Sequence, residues 1–339
     1  MRILILGVGG FIGSNLTEKI LKIKPDWSIT GVDIACEKIF EFINEKNFDF
    51  KKINVLDELS KIENLIKDSD VVFPLVAIAN PSIYVTDPLK VFELDFESNL
   101  SVIKLCVKYK KRIIFPSTSE VYGMCSDNDG FKEFESNCVT GPICKQRWIY
   151  SCSKQMLDRV IYAYGERDGL QYTLFRPFNW VGPKLDNIKN ENKGTSRVLT
   201  QFLSNISHGK NLELVDGGLQ MRSFTYISDG IDALIKILEN KNGCTDKQIF
   251  NIGNPKNLIS IAELANVVLE VCKSNPVLAS KAECTEIVKV SSQDYFGNAY
   301  QDVNRRFPSI ENAKKILDWE PKVSLRETVE KTVEYYFGK

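Results

Sequence analysis

Short β-branched segments alternate with amphipathic helical segments through the first half of this 339-residue chain. The helical segments repeat apolar residues at the three- and four-residue spacing of an α-helix. Such alternation is typical of parallel strands joined by right-handed crossover helices. We therefore predict an α/β fold with a doubly wound parallel sheet. Its predicted strands are 2–7, 28–33, 50–55, 70–75, 112–117 and 170–177, and the last two flank a predicted helix over 148–168.

The pattern changes after Pro177. The segment 178–196 is rich in Asn, Gly, Pro and Lys and predicts a loop. Shorter elements follow, predicted as helices near 196–208, 229–238, 260–273, 309–317 and 324–337 and as strands at 211–215 and 248–253. Ser260 and Glu263 have the spacing of a helix capping box. We predict a first domain over residues 1–177 and a smaller lobe over 178–339, some of whose segments return to the first domain.

Composition and charge argue against several classes of function. The chain is 43% hydrophobic and 26% charged with a formal net charge of zero, as is typical of soluble globular proteins. A balanced charge argues against broad binding of nucleic acid or of a membrane surface, but it allows a few arginines to form a local anion site. The N-terminal sequence has no cleavable signal pattern and no apolar run long enough to cross a bilayer. We expect a cytoplasmic protein.

Cysteine and histidine do not have the spacing of a metal site. The nine cysteines are scattered without a CxxC pair, and His208 is the only histidine. We expect free thiols and no bound metal. His208 precedes Gly209 and is expected at a helix C-terminus, where an imidazole is favourable. Any acid–base chemistry must therefore come from Tyr, Lys, Glu, Asp or Arg.

The stretch GVGGFIG connects the first predicted strand to the first predicted helix. Gly7 would allow a tight turn, Gly10 a close approach of the backbone to a pyrophosphate, and Gly13 close packing of the helix on the strand. Asp33 ends the second predicted strand 20 residues beyond Gly13, where a carboxylate can bind the ribose diol of an adenosine. It would also repel a 2′-phosphate. The pattern predicts a Rossmann domain that binds NAD in preference to NADP.

Polar side chains follow the predicted strand 112–117, in the run 117-STSE-120. The carboxyl ends of strands in a doubly wound sheet border the ligand crevice, so we expect this run to face a ligand. Tyr150 and Lys154 are four residues apart on a predicted helix and share one face. A free tyrosine has a pKa of about 10, and a neighbouring ammonium stabilises its phenolate. This spacing alone is equally compatible with a pair of solvent-exposed residues that have no catalytic role.

Together, the glycine turn, the hydroxyl-rich strand end and the YxxxK pair resemble the extended short-chain dehydrogenase/reductases, which act largely on nucleotide sugars. In that family a strand-end hydroxyl, the tyrosine and the lysine form the catalytic set. The resemblance implies these roles for Thr118, Tyr150 and Lys154.

Longer stretches resemble one group within that family more closely, the UDP-glucuronate decarboxylase (dehydrogenase) domains of the bifunctional, ArnA-type polymyxin-resistance proteins. The similarity covers essentially the whole chain and is most specific at 73–88, 92–100, 113–127, 174–187 and 300–310. It implies NAD-dependent oxidation of UDP-glucuronate at C4. The resulting ketone is β to the C6 carboxylate, so CO2 can leave without a metal to give UDP-4-keto-pentose and NADH.

The resemblance also implies roles for individual residues. The implied catalytic set is Thr118, Ser119, Glu120, Tyr150, Lys154 and Arg306. The implied cofactor-binding set is Gly7, Gly10, Phe11, Ile12, Gly13, Asp33, Asn54, Tyr150 and Lys154. The implied substrate-binding set is Ala79, Tyr84, Thr118, Ser119, Arg147, Asn179, Arg197, Arg222 and Tyr300. Arg306 is expected to hold the carboxylate or to relay a proton to C5, with Glu120 as its partner acid or base. Glu213 stands where the relatives have a lysine on the uridine side.

Three alternatives stay open. A UDP-xylose synthase would keep its NADH and reduce the ketopentose. A 4,6-dehydratase or epimerase would act on another nucleotide sugar, but dehydratases carry an Asp–Glu pair where this chain has Ser119 and Glu120. A non-catalytic NAD sensor would be expected to lack Tyr150 and Lys154. Because paired helices form the dimer axis in this family, we also expect a homodimer through the predicted helices 88–109 and 148–167.

Overall fold

The computed structural model describes residues 1–189 and 196–338. Its first half follows the strand–helix alternation expected from the sequence. The elements, in chain order, are β1 (Arg2–Leu6), α1 (Phe11–Ile23), β2 (Ser28–Asp33), β3 (Phe48–Lys52), α2 (Leu59–Asp68), β4 (Val71–Pro74), α3 (Pro81–Thr86), α4 (Pro88–Phe92), α5 (Asn99–Lys108), β5 (Arg112–Pro116), α6 (Trp148–Arg167) and β6 (Tyr172–Pro177).

The second half contains shorter elements. They are β7 (Trp180–Val181), α7 (Val198–Ser207), β8 (Leu212–Val215), β9 (Met221–Ser223), β10 (Thr225–Tyr226), α8 (Ile227–Glu239), β11 (Gln248–Ile252), β12 (Leu258–Ser260), α9 (Ile261–Lys273), α10 (Ala279–Glu283), β13 (Ile287–Val290), α11 (Ser292–Phe296), β14 (Arg305–Arg306), α12 (Glu311–Leu317) and α13 (Leu325–Phe337). The predicted capping box of Ser260 and Glu263 begins α9. Part of the predicted loop 178–196 forms β7, and its residues 190–195 lie outside the described residues.

A seven-stranded parallel sheet forms the centre of the fold, in the order β11-β6-β5-β4-β1-β2-β3. Its central strands are buried on both faces, as the apolar run Ile3–Leu6 requires, because helices cover both sides. The order reverses between β1 and β4, and in such sheets ligands bind outside the carboxyl ends of the strands at that point. The predicted doubly wound fold is confirmed.

The strand predicted at 50–55 begins two residues earlier and ends three residues earlier, at Phe48–Lys52. Asn54 begins a turn in which its carbonyl oxygen accepts hydrogen bonds from the backbone N–H groups of Asp57 and Glu58. That turn ends the strand before the predicted boundary.

The predicted helix 88–109 contains a π-helical segment, Glu93–Ser98, between α4 and α5. Asn99 stabilises this segment, because its side-chain amide donates to the carbonyl oxygens of Val76, Leu94 and Asp95 at 3.1–3.2 Å. Within the described residues, no helix is long and apolar enough to cross a membrane, and no cluster of three potential metal ligands occurs. The nine cysteines form no disulfide, as expected.

Candidate active site

The glycine turn lies at the carboxyl end of β1. Gly7 has a φ of +89°, which favours glycine, and its N–H donates to the Val32 carbonyl oxygen at 2.8 Å. A Cβ on Gly13 would lie 2.4 Å from the Gly7 carbonyl oxygen, so helix α1 can start this close to the strand only with glycine there. A Cβ on Gly10 would meet only that oxygen, at 3.1 Å. Phe11 and Ile12 form the first turn of α1, whose N-terminus is a site that favours a pyrophosphate.

Asp33 is fixed beside this turn by three backbone hydrogen bonds. Its Oδ2 accepts the N–H of Gly9 at 2.8 Å, and its Oδ1 accepts the N–H groups of Ile34 and Ala35 at 2.7 and 3.2 Å. The sequence did not single out Gly9. In the structure, a Cβ at this position would lie 2.5 Å from the Ala35 carbonyl oxygen. A carboxylate held next to the helix N-terminus fits the ribose of a dinucleotide. Asn54 lies one strand away, and its side chain bonds Asp57 and the Leu56 N–H.

Tyr150 and Lys154 lie on the buried face of α6, so the structure excludes the surface-pair alternative. Lys154 is 1% exposed, and its Nζ donates to the Pro116 carbonyl oxygen at 2.9 Å. Burial raises the pKa of Tyr150 above its ordinary value, and the charge of Asp95 is the next largest cause. A hydrogen bond with Thr118 lowers this pKa but does not offset the two. Burial lowers the pKa of Lys154. The end of β5 and α6 therefore meet, as the sequence predicts.

The strand-end run forms a short 3₁₀ helix, Ser119–Tyr122. The Thr118 hydroxyl accepts the Glu120 N–H at 3.2 Å and caps this helix. Ser119 is 3% exposed and lies beside Thr118 at the same strand end. The cap holds Thr118 and Glu120 on one rigid turn.

Tyr84 packs α3 against α6. Its ring stacks on that of Tyr150, with centroids 4.8 Å apart and planes inclined by 7°. Asn80 starts α3 by accepting the Ser82 N–H, and Ala79, which precedes it, is exposed. The stack limits the positions that the Tyr150 ring can take.

Glu120 lies between two buried arginines. Its Oε2 accepts the Arg147 Nη2 at 2.7 Å, and its Oε1 lies 2.5 Å from the Arg306 Nη1. Burial opposes ionisation of Glu120, but the charges of Arg147 and Arg306 outweigh it and lower its pKa to about 2. Arg147 also lies over the Tyr300 ring, 5.4 Å from its centroid. The predicted residues Glu120, Arg147, Tyr300 and Arg306 are thus brought together.

Arg222 and Asn179 extend this group. Arg222 is 7% exposed, and its Nη2 donates to Asp302 at 2.6 Å. Asn179 adopts a φ of +40°, and its side-chain oxygen accepts the Arg306 Nη2 at 3.5 Å. Its amide donates to the Ser223 carbonyl oxygen at 3.1 Å. The left-handed conformation, which Asn tolerates better than most residues, allows both contacts.

A cavity joins these side chains to the second lobe. Its lining includes Glu120, Arg147, Arg222 and Arg306 together with Gln201, Asn205 and Glu213. Arg197 lies on its wall at the start of α7, where its guanidinium pairs with Asp186. With Arg147, Arg197, Arg222 and Arg306 in its lining, the cavity suits a ligand that carries several negative charges.

The cavity has an excess of positive charge and of hydrogen-bond donors. Among the described residues, Arg147, Arg222 and Arg306 form ion pairs with two carboxylates, those of Glu120 and Asp302. Within the described residues, the buried Nε and Nη1 of Arg147 and the buried Nε of Arg306 have no hydrogen-bond partner. Buried donors of this kind are usually satisfied in proteins, so a bound anion would stabilise them. Sequence reasoning missed Asp302, which no local pattern connects to Arg222.

Comparison with known proteins identifies the family of the chain. The model of the NAD dependent epimerase/dehydratase family matches residues 3–253. The chain is 45% identical to the PbgP3 protein from Burkholderia pseudomallei, whose structure it matches with a TM-score of 0.90 over 99% of this chain and 96% of that chain. Both matches extend over most of the chain and include the glycine turn.

Two more distant structures share the fold. One is UDP-glucose 4-epimerase from Thermotoga maritima with UDP-glucose, at 24% identity and a TM-score of 0.80 over 99% of this chain and 98% of that chain. The other is UDP-glucuronic acid 4-epimerase from Bacillus cereus in complex with UDP-glucuronic acid and NAD, at 22% identity and a TM-score of 0.82 over the same shares. With the family match and the cradle formed by Gly7, Gly10, Gly13 and Asp33, the chain belongs to the NAD-dependent epimerase/dehydratase family, that is, the extended short-chain dehydrogenase/reductases, and its cofactor is NAD.

Proposed function

We propose that this enzyme catalyses the oxidative decarboxylation of UDP-glucuronate, giving UDP-4-keto-pentose, CO2 and NADH. The observation that carries the proposal is the group of buried arginine donors without partners beside Glu120. UDP-glucuronate carries a diphosphate and a sugar carboxylate, and Arg147, Arg222 and Arg306 line the cavity that would hold them. The close resemblance of the sequence to ArnA-type decarboxylases supports the same substrate.

Oxidation at C4 uses the pair on α6. NAD, when bound in the glycine cradle, supplies the hydride acceptor. The Tyr150 phenolate accepts the C4 hydroxyl proton, and the nearby Lys154 ammonium stabilises that phenolate in a site where burial opposes it. Thr118 is placed to hydrogen-bond the C4 oxygen together with Tyr150. Ser119 and Tyr84 would contact the sugar beside them.

Decarboxylation then needs no further oxidant. The bond between C5 and the carboxylate carbon breaks, CO2 leaves, and its electron pair moves into the C4 carbonyl as an enolate. Thr118 and Tyr150 donate hydrogen bonds to the enolate oxygen. Protonation of C5 completes the reaction. Glu120, with a pKa of about 2, is ionised near neutrality and is a poor acid, so we assign it the role of orienting Arg306. Arg306 holds the substrate carboxylate and a water that delivers the proton.

The lining of the cavity supports roles for the remaining residues. Arg222 and Arg197 bind the diphosphate, and Asn179 and Tyr300 hold Arg306 and Arg147 in place. The uridine extends toward Gln201 and Glu213, where a carboxylate can accept a hydrogen bond from the base or the ribose. A 4,6-dehydratase is less favoured, because it must protonate a leaving hydroxyl and Glu120 is held in its ionised form.

The test is incubation with UDP-glucuronate and excess NAD, with NADH absorbance and product mass followed together. We expect loss of CO2 with one NADH formed for each molecule decarboxylated. The same loss with little NADH and a product two hydrogens heavier would instead identify a UDP-xylose synthase. UDP-glucose, which lacks the carboxylate, is the matched control and should give no CO2. NAD binding without turnover of either sugar would contradict the proposal.

Two further expectations stay predictions. A homodimer would form through the predicted helices 88–109 and 148–167, where Leu89, Met156 and Tyr162 are at least half exposed in the single chain. A cytoplasmic location is the second.

A further inference from the structure

Asp95 is a buried carboxylate behind the catalytic pair that the proposed mechanism does not use. It lies on the π-helical segment Glu93–Ser98, which packs against α6, and its side chain is 0% exposed. Its Oδ1 accepts the backbone N–H of Ile78 at 2.7 Å. Its Oδ2 is buried and has no hydrogen-bond partner among the described residues. A buried carboxylate oxygen without a partner is costly and calls for an explanation.

Lys154 is the complementary group. Its ammonium can donate three hydrogen bonds, yet among the described residues its Nζ makes one, to the Pro116 carbonyl oxygen. Asp95 is the charged group that contributes most to keeping Lys154 protonated, ahead of Asp158. Asp158 is already engaged by Arg176 and by the Ser117 hydroxyl, at 3.1 and 2.7 Å. Asp95 therefore has the less compensated negative charge near this ammonium.

We propose that Asp95 is a positioning residue that keeps Lys154 in its ammonium form, and so sustains the phenolate of Tyr150, from behind the active site. Three ionisable groups respond to its charge: Lys154 and Tyr150 on α6, and Tyr84 on α3. The negative charge of Asp95 directly opposes ionisation of Tyr150 and Tyr84. The same charge keeps Lys154 protonated, and this ammonium is the cation that the Tyr150 phenolate needs. The inference concerns the catalytic pair of the proposed function, but it does not depend on which nucleotide sugar is oxidised.

A pH dependence follows from the same contacts. Burial raises the pKa of Asp95 to about 7, against the opposing effects of Lys154 and of the Ile78 N–H. Above that pH the carboxylate is ionised and supports the ammonium. This is the range in which a buried lysine would otherwise lose its proton. Asp95 is therefore ionised in the pH range in which Lys154 would otherwise lose its proton.

The test replaces the charge and keeps the shape, with Asp95→Asn, which can still accept the Ile78 N–H. The Cε resonances of the lysines, recorded by ¹³C NMR against pH without any substrate, give the pKa of Lys154, and Lys154→Met identifies its signal. We expect a lower Lys154 pKa in Asp95→Asn. In turnover, kcat should fall about tenfold and the basic limb of its pH profile should move to lower pH, with KM changed less than about threefold. Glu97→Gln, an exposed change on the same segment, should alter neither.

A double-mutant cycle separates this role from a general effect on packing. In the Lys154→Met background, Asp95→Asn should cause no further loss of kcat. An unchanged Lys154 pKa, or an equal loss of kcat in both backgrounds, overturns the inference. If Asp95→Asn does not fold, the wild-type Lys154 signal carries the test: it should show an inflection near pH 7 as Asp95 ionises, and its absence overturns the inference equally. A shifted Lys154 pKa without turnover of UDP-glucuronate would count against the proposed substrate alone.

Discussion

Tyr150→Phe is expected to lower kcat for NADH formation from UDP-glucuronate by about a thousandfold, within the range ascribed to a positioned acid–base group. In the proposed mechanism, the change removes the oxygen that accepts the C4 hydroxyl proton and then donates a hydrogen bond to the C4 oxygen. The ring and its stack on Tyr84 are retained. NAD affinity should therefore change little, because the glycine turn and Asp33 are untouched. Steady-state kinetics and a separate titration with NAD measure the two effects.

Tyr162→Phe is the matched control for this experiment. It makes the same chemical change on the same helix, on a side chain that is 50% exposed and whose ring makes an edge contact with Tyr172. It should leave kcat within about twofold of wild type. A Tyr150→Phe enzyme that keeps more than about a tenth of wild-type activity would exclude Tyr150 as the base and would point to another group near Thr118.

The second large effect concerns recognition of the carboxylate. Arg306→Gln should weaken binding of UDP-glucuronate by about 2–4 kcal/mol, or roughly 30- to 1,000-fold, as expected when one partner of a buried charge pair is removed. UDP-glucose has the same diphosphate and uridine but no carboxylate, so its affinity should change much less. Glu120 keeps its bond to Arg147 in this variant, which limits the structural disturbance. Calorimetry with both ligands in the presence of NAD gives the comparison.

Arg305→Gln supplies the control, since Arg305 is the adjacent arginine but is exposed and lies over the Phe307 ring, 4.4 Å from its centroid. Its replacement should affect neither ligand. Equal weakening of both ligands by Arg306→Gln would mean that Arg306 binds the diphosphate or supports the fold. In that case the arginines would no longer argue for a substrate with a sugar carboxylate.

Features that depend on short spacing could be predicted from the sequence. The glycine turn, Asp33 at the end of the second strand and the Tyr150–Lys154 pair all follow from local geometry, because a helix or a tight turn fixes where neighbours three or four residues apart lie. The resemblance to a family supplied Arg147 and Arg306 as site residues. The opposing burial and ion-pair effects on Glu120, and its resulting ionisation, required the structure.

Contacts between distant segments could not be predicted in this way. Arg222 and Asp302 are 80 residues apart, and neither lies in a pattern that names the other. Asp95 resembles any acidic residue of an amphipathic helix, and only the π-helical segment and its packing on α6 reveal that it is buried. The strands β9, β10 and β14 are two or three residues long, too short to give an alternating pattern.

The position of β11 in the sheet has a consequence for how the protein is made. Its partner β6 ends at Pro177, but β11 ends at Ile252, about 75 residues later in the chain. At synthesis rates of roughly 5–20 residues per second, the ribosome exposes β6 as an unpaired apolar edge for about 4–15 seconds. Such an edge is a template for pairing with another nascent chain. The interval favours protection of this edge by a chaperone, and the sheet is complete only after nearly half of residues 178–339 have been translated.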